Sequence, residues 1–377
     1  MRRHSQSLID QFEQRALDST DVSQVSSFLQ MAPKPPRHAR FRQSTIFHKG
    51  DLSSHIDEKL SWWFPQLQRI NNQVPAYRLQ IEYGRSDPQK TSGVFVIVPG
   101  FAEGLHRIVT ISYSTFWNKA VTKLIRHLYP GAMPVFFKQE EIQSALETFQ
   151  EHLGHEFTVM LVEMTMKRKV VEDALSPAGY VETDRVWTEL TVHDAFDQAR
   201  EGGYWFTGVK YEVLRRRQRS SGYDKISTGR IYKRGAANYD HLYLEFNQSA
   251  IKVLEEASSE RLRFLSNRGI RERNYAPSRP LQIEYSRDIF ADPSEVKRFA
   301  EAIASYPKST RAVFHANPYY RASVADFADG SSMDIWILSP RRVLISPQAK
   351  SSEQALQRLI SHIFFDFQEG MLTEYVE

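Results

Sequence analysis

A chain of 377 residues, 41% hydrophobic and 25% charged, is longer than one hydrophobic core usually serves and too apolar for wholesale disorder, so two or three folded domains are expected. It contains no cysteine, which excludes disulfides, thiolate zinc sites, iron–sulfur clusters and cysteine nucleophiles. The net charge of +4 conceals an asymmetry: residues 207–235 hold nine Lys/Arg against Glu212 and Asp224, residues 33–49 hold five against no acid, and with these islands of +7 and +5 removed the remainder is −8.

Along the chain, Leu8, Phe12, Ala16 and Leu17, then Val22, Val25, Phe28 and Leu29, recur at helical spacing, so residues 1–32 are expected to form two amphipathic helices. Their apolar stripes need a docking surface on the main body or on another chain. Residues 33–50 carry three prolines and basic side chains and read as a solvated linker. From residue 51 to about 270 strands alternate with helices. SGVFVIVPG and HRIVTISYS read as strands, the segment from Thr115 to Leu128 as a helix, QEEIQSALETFQEHLG as a helix closed by Gly154, EFTVMLVEM and GYWFTGVKYEVL as strands, and GRIYKRGAANYDHLYLEF as a hairpin. A basic, turn-rich stretch around 268–280 marks a boundary, and 275–377 reads as a second domain. There Asp292-Pro293-Ser294-Glu295 is a well-formed helix start, and SEQALQRLISHIFFDFQEG is an amphipathic helix. The fold class expected is α/β or α+β: a mixed-sheet central domain, a smaller C-terminal α+β domain and a helical N-terminal segment. LQIEY occurs twice, at Leu79–Tyr83 and Leu281–Tyr285, which raises a duplication as an expectation. With no apolar run of about 18 residues and no apolar core of secretory type at the N-terminus, a cytoplasmic, non-membrane protein is the default.

No complete catalytic or cofactor motif is present. VFVIVPGFAEG lacks the Gly-Lys-Ser/Thr of a phosphate-binding loop. Glu163 and Lys167 could share one strand face in a metal-dependent nuclease, but at a spacing of four residues instead of two. ADFADGSSMD, with Asp326, Asp329 and Asp334 and in a domain with His315 and His362, could hold a hard cation but is also ordinary turn chemistry. His193 and Asp197 fall at i, i+4 on a helix without further ligands in a recognisable pattern.

What remains is the basic island. Arg215, Arg216, Arg217, Arg219, Lys225, Arg230, Lys233 and Arg234 form a set of phosphate-neutralising cations, Tyr223 and Tyr232 can stack on bases, and Lys34, Arg37, Arg40 and Arg42 of the first island can assist. The leading expectation is a non-catalytic accessory protein that binds DNA or RNA through the phosphate backbone, with no cofactor and no metal. The alternatives are a subunit of a multi-protein assembly, docked through the N-terminal helices and the C-terminal domain or self-associated through those helices, in an antiviral or mobile-element system, and a divergent metal-dependent nuclease or hydrolase.

Overall fold

Strand alternation sends neighbouring side chains to opposite faces of a sheet, so the pairing of strands decides which charged residues meet. The computed structural model describes residues 2–35, 38–60, 62–84, 87–169, 181–202, 204–217, 222–266, 279–315, 319–348 and 351–375. The chain divides into two units, Met1–Lys167 with Thr183–Ser259, and Arg168–Glu182 with Glu260–Glu377. Both belong to the α+β class: each has one antiparallel sheet with helices among its strands.

The first unit contains strands β1 (Ala39–Phe47), β2 (Leu67–Asn71), β3 (Ala76–Tyr83), β4 (Gln89–Pro99), β5 (Leu105–Tyr113), β6 (Met133–Pro134), β7 (Phe157–Lys169), β8 (Val181–Thr191), β9 (Trp205–Arg216), β10 (Tyr223–Tyr232) and β11 (Ala236–Tyr239). Its helices are α1 (Arg2–Asp18), α2 (Val22–Met31), α3 (Leu52–Leu60), α4 (Ser114–Phe116), α5 (Thr122–His127), α6 (Gln139–Leu153), α7 (Val192–Glu201), α8 (Tyr243–Phe246) and α9 (Lys252–Ser266). The strands run in the order β2-β3-β4-β5-β1-β11-β10-β9-β7-β8, with β6 beside β1.

The expected linker is therefore corrected: its second half is β1, in the interior of the sheet, paired along its whole length with β5 and through Phe41 to Ser44 with β11. Its prolines, Pro33, Pro35 and Pro36, all precede Ala39 in the sequence. From Ala39 onward Phe41, Ile46 and Phe47 are buried. The expected hairpin is corrected at its end, where Tyr243–Phe246 is helical.

The N-terminal helices dock on their own unit. Leu8, Phe12, Ala16, Val25 and Leu29 are buried, and Asn71 Nδ2 donates to the carbonyls of Ala16, Leu17 and Ser19 at 3.0, 3.0 and 2.8 Å. One side chain thereby satisfies two of the orphan acceptors of α1 and the carbonyl of Ser19 just beyond it.

A repeat lies inside this unit. After β5 come α4, a π turn over Trp117–Val121, and α5; after β11 come α8, a π turn over Asn247–Ile251, and α9. The two segments share Phe-x-Asn/Gln-x-Ala-Val/Ile-x-x-Leu, at Phe116 to Leu124 and Phe246 to Leu254. The first joins a core with Ile46, Phe95, Ile97 and Ile108. The second packs on the opposite face of β1, where Tyr243 lies 5.4 Å from Phe41 and Thr45 Oγ1 donates to Glu255 at 2.8 Å. The LQIEY echo has no such context: β3 lies between β2 and β4, whereas the second copy lies in a different sheet.

That sheet, in the second unit, comprises β12 (Leu281–Glu284), β13 (Ser309–His315), β14 (Arg321–Asp326), β15 (Ser331–Ser339), β16 (Arg342–Pro347) and β17 (Met371–Glu374), in the order β13-β14-β15-β16-β12-β17. Its helices are α10 (Pro293–Ala304) and α11 (Glu353–Asp366). Asp292 caps α10 by accepting from the Ser294 amide at 2.9 Å. Among the described residues no helix is long and apolar enough to cross a membrane.

Candidate nucleic-acid interface

VKYEVL in β9 alternates: Val209, Tyr211 and Val213 are buried, while Lys210, Glu212 and Leu214 are half-buried. In β10 Ile231 is buried and Arg230 and Tyr232 are half-buried. Cross-strand partners share a face, and the register aligns Thr110 with Arg42, Arg42 with Asn238, Asn238 with Arg230, Arg230 with Lys210, and Lys210 with Glu163. A parallel row holds Ser112 opposite Arg40 and Thr228 opposite Glu212. Toward the hairpin tip, Arg216 lies opposite Tyr223 and Lys225 opposite Leu214. One face of six adjacent strands thus carries Arg40, Arg42, Lys210, Arg216, Lys225, Arg230, Tyr223 and Tyr232.

The two basic islands meet on this sheet. Lys34 Nζ donates to the Ile226 carbonyl at 3.1 Å and pairs with Asp240 at 3.4 Å, and Arg40 Nη1 donates to the Thr228 carbonyl at 2.9 Å. Several cations already have carboxylates. Arg217 meets Asp224 at 2.7 Å, Lys225 meets Glu212 at 2.7 Å, and Arg230 meets Glu163 at 2.6 Å while its guanidinium lies 5.9 Å from the Tyr232 ring centre. Arg215 and Arg216 are exposed at the end of β9 and have no carboxylate partner among the described residues. Arg234 is exposed at the turn after β10, and Tyr223 is 53% exposed. Arg37 and Arg219 lie outside the described residues. Lys233 does not belong to the surface set: it is 0% exposed, with Nζ 5.2 Å from the Phe206 ring centre and 5.9 Å from that of Phe136. Alternation turns it to the face that carries Ile231.

Arg42 is 7% exposed, and its Nε donates to the Ser112 carbonyl at 3.3 Å. Burial above all, and then the neighbouring Arg40, pushes its pKa down to about 10, against a smaller opposing pull from Tyr232. Lys210, Thr110, Ser112 and Asn238 escaped the sequence reading as site residues. The alternation of VKYEVL was the signal for Lys210; for the others there was none, because small polar residues in strands are read from their partners.

The remaining sequence candidates are occupied by the fold. Glu163 is the buried partner of Arg230, so the carboxylate of the nuclease reading and a cation of the phosphate-binding set are one ion pair. The amide of Phe101, in the VPGFAEG turn, donates to Glu255 at 2.7 Å, where a bound phosphate would have been needed. Glu255 is fully buried; its burial raises its pKa, against Arg107, Phe101 and Thr45. In the second unit, Asp326 accepts from Arg358 Nη2 at 2.6 Å and from the Tyr306 hydroxyl at 2.6 Å, and Asp329 accepts from the same Arg358 nitrogen at 3.0 Å. The acidic hairpin is thus a clamp on α11. His193 and Asp197 make an exposed pair at 3.1 Å. Among the described residues no three His, Asp or Glu side chains are grouped to hold a metal.

No protein-family model matches the chain, and no curated protein matches its sequence.

Proposed function

We propose that the first unit binds single-stranded nucleic acid through the β1-β11-β10-β9 face, gripping phosphates and stacking bases on tyrosine without reading sequence. The observation that carries this reading is convergence: two basic segments far apart in sequence are joined by contacts of Lys34 with Ile226 and of Arg40 with Thr228, 192 and 188 residues away. Random placement of surface charge would not align them with two tyrosines on one face. A pleated sheet with spaced aromatic and basic side chains suits an unstacked strand, whose bases can lie on tyrosine while arginines follow the backbone. Because Lys225 and Arg230 are neutralised in place and Arg215 and Arg217 alternate to the other face of β9, the net attraction rests on Arg216, Arg40 and Arg42.

The test is Arg216→Ala, with Arg215→Ala on the other face of β9 as the control, read by fluorescence anisotropy against a single-stranded oligonucleotide at several salt concentrations. Losing one phosphate contact lowers the magnitude of the salt slope by about 0.7 in Arg216→Ala and leaves it unchanged in Arg215→Ala; an unchanged slope and affinity in Arg216→Ala would remove that arginine from the interface.

A second reading, a subunit of a protein assembly, is favoured by one feature of the second unit. The edge strand β13 is exposed almost throughout, and Phe314, Tyr319 and Phe327 are 62, 53 and 66% exposed. Unpaired edges and exposed aromatics are where other chains add. The N-terminal helices give this reading little support, since Leu8, Phe12, Ala16, Val25 and Leu29 of their apolar stripes are already buried. Light scattering of the whole chain against a Phe314→Glu variant tests it: loss of an oligomer supports assembly, and monomers in both cases contradict self-association.

A further inference from the structure

A guanidinium withdrawn from water needs a counter-charge or a full set of acceptors, since an uncompensated buried charge is strongly destabilising. Three other buried arginines obey the rule: Arg298 meets Glu295 at 3.1 Å, Arg358 meets Asp326 at 2.6 Å, and Arg107 has Asn247 Oδ1 at 2.8 Å and Glu255 at 3.8 Å. Arg42 does not. It is 7% exposed, and among the described residues its one hydrogen-bond acceptor is the Ser112 carbonyl, engaged through Nε alone. Its charged neighbour is another cation, Arg40, two residues along the same face of β1.

A second observation points to the same place. Ser112, which is opposite Arg40 in the β1–β5 ladder, is 4% exposed, and its hydroxyl has no hydrogen bond among the described residues. The neighbouring Thr110 hydroxyl, by contrast, is committed to the Val94 carbonyl at 2.7 Å. Asp240, just past the end of β11, is engaged by Lys34, and Glu163, on β7 four strands from β1, is engaged by Arg230. The spot thus gathers two arginines and an orphan hydroxyl, all able to donate, with no acid to receive them.

We propose that Arg42, Arg40 and Ser112 form a receptor for one terminal phosphate group. The planar fork of arginine matches phosphate oxygens. Depth selects the terminal group: an internal phosphodiester carries sugar on both sides and must run along the surface, whereas a terminal phosphate presents three free oxygens and enters head-on. The sources that fit are the end of a nucleic-acid strand and a free nucleotide. The strand end rests on the function proposed above; the phosphate receptor does not.

The experiment compares single-stranded oligonucleotides of one sequence carrying phosphate at the 5′ end, at the 3′ end, or at neither, with a nucleoside 5′-monophosphate tested separately by thermal shift. A phosphorylated end is expected to bind about 10- to 100-fold more tightly than hydroxyl ends, the worth of charged hydrogen bonds. Arg42→Met erases that preference while leaving the unfolding temperature without phosphate equal or higher, because it removes an uncompensated buried charge; a merely structural arginine would lower it. Should Arg42→Met fail to fold, Arg42→Lys keeps the charge without the fork and is expected to lose the preference as well. Ser112→Ala weakens it several-fold. Equal affinity for phosphorylated and hydroxyl ends, or a preference that survives Arg42→Met, overturns the strand-end receptor and leaves sheet-face binding standing. If no oligonucleotide binds but the monophosphate raises the unfolding temperature of the wild type and not of Arg42→Met, the receptor stands and the nucleic-acid reading falls.

Discussion

Replacing Glu163 with glutamine separates the nuclease reading from the binding reading, because the two assign that carboxylate opposite roles. Its side chain is 5% exposed and bonds Arg230, 23% exposed, at 2.6 Å. Removing one partner of a buried pair costs about 3–5 kcal/mol, mostly from the charge left behind. Arg230 is a quarter exposed and retains the Tyr232 ring, so water recovers part of this, and the expected cost is about 2–3 kcal/mol. With a urea m-value of a few kcal/mol/M, the unfolding midpoint followed by circular dichroism falls by roughly 1 M. In the same variant Arg230 becomes free to meet a phosphate, so affinity for single-stranded oligonucleotide holds or rises a few-fold. A metal ligand would behave otherwise: divalent-dependent binding or cleavage, present in the wild type, would vanish in Glu163→Gln with little change in stability. That outcome refutes the pairing argument.

Lys233→Ala lowers stability by about 2–4 kcal/mol through the cavity beside Phe206 and leaves oligonucleotide affinity within two-fold in anisotropy titrations; a marked loss of affinity would mean that the buried assignment is wrong. Asp326→Asn, at a pair whose side chains are 2% and 1% exposed, costs about 3–5 kcal/mol, read from the fluorescence of Trp336 in denaturant, and divalent ions do not restore it. Stability also declines in mild acid. Burial lowers the pKa of His55 and of His106 below 6.5, and the ring of His48 lies 4.8 and 6.3 Å from theirs. The unfolded chain therefore takes up protons first. The contribution is intact above pH 6.5 and is lost as pH falls from there through the folded values; urea midpoints at pH 7.5 and 5.5 check it, and a His55→Gln, His106→Gln double variant flattens the difference.

Elements with strong local signals were legible in the sequence. The Asp292-Pro293 cap, the face of α6 and the alternation of β9 need only neighbours within a turn or two. Strand β1 was not legible: three prolines precede it directly, and Arg40 and Arg42 mimic a solvated segment, while the reason for a strand is the pair of neighbours β5 and β11, far along the chain. A chain begun at Gly50 would lack the middle of the sheet. The internal repeat was likewise hidden, since Phe116 and Phe246 head segments that share a pattern of small and apolar residues without a run of identities, whereas LQIEY offered identity without shared context. The charge islands were visible from composition, but not which members survive as free cations. Arg217, Lys225 and Arg230 find acids only through strand register, and Lys233 turns inward because it follows Tyr232 by one residue.

The most direct measurement of the central claim is the salt dependence of wild-type binding to a single-stranded oligonucleotide. If, on an oligonucleotide with hydroxyl ends, Arg216, Arg40 and Arg42 each neutralise one phosphate, a plot of log affinity against log salt has a slope near −2, from about 0.7 per phosphate. Absence of binding at low salt, or affinity indifferent to salt, would contradict it.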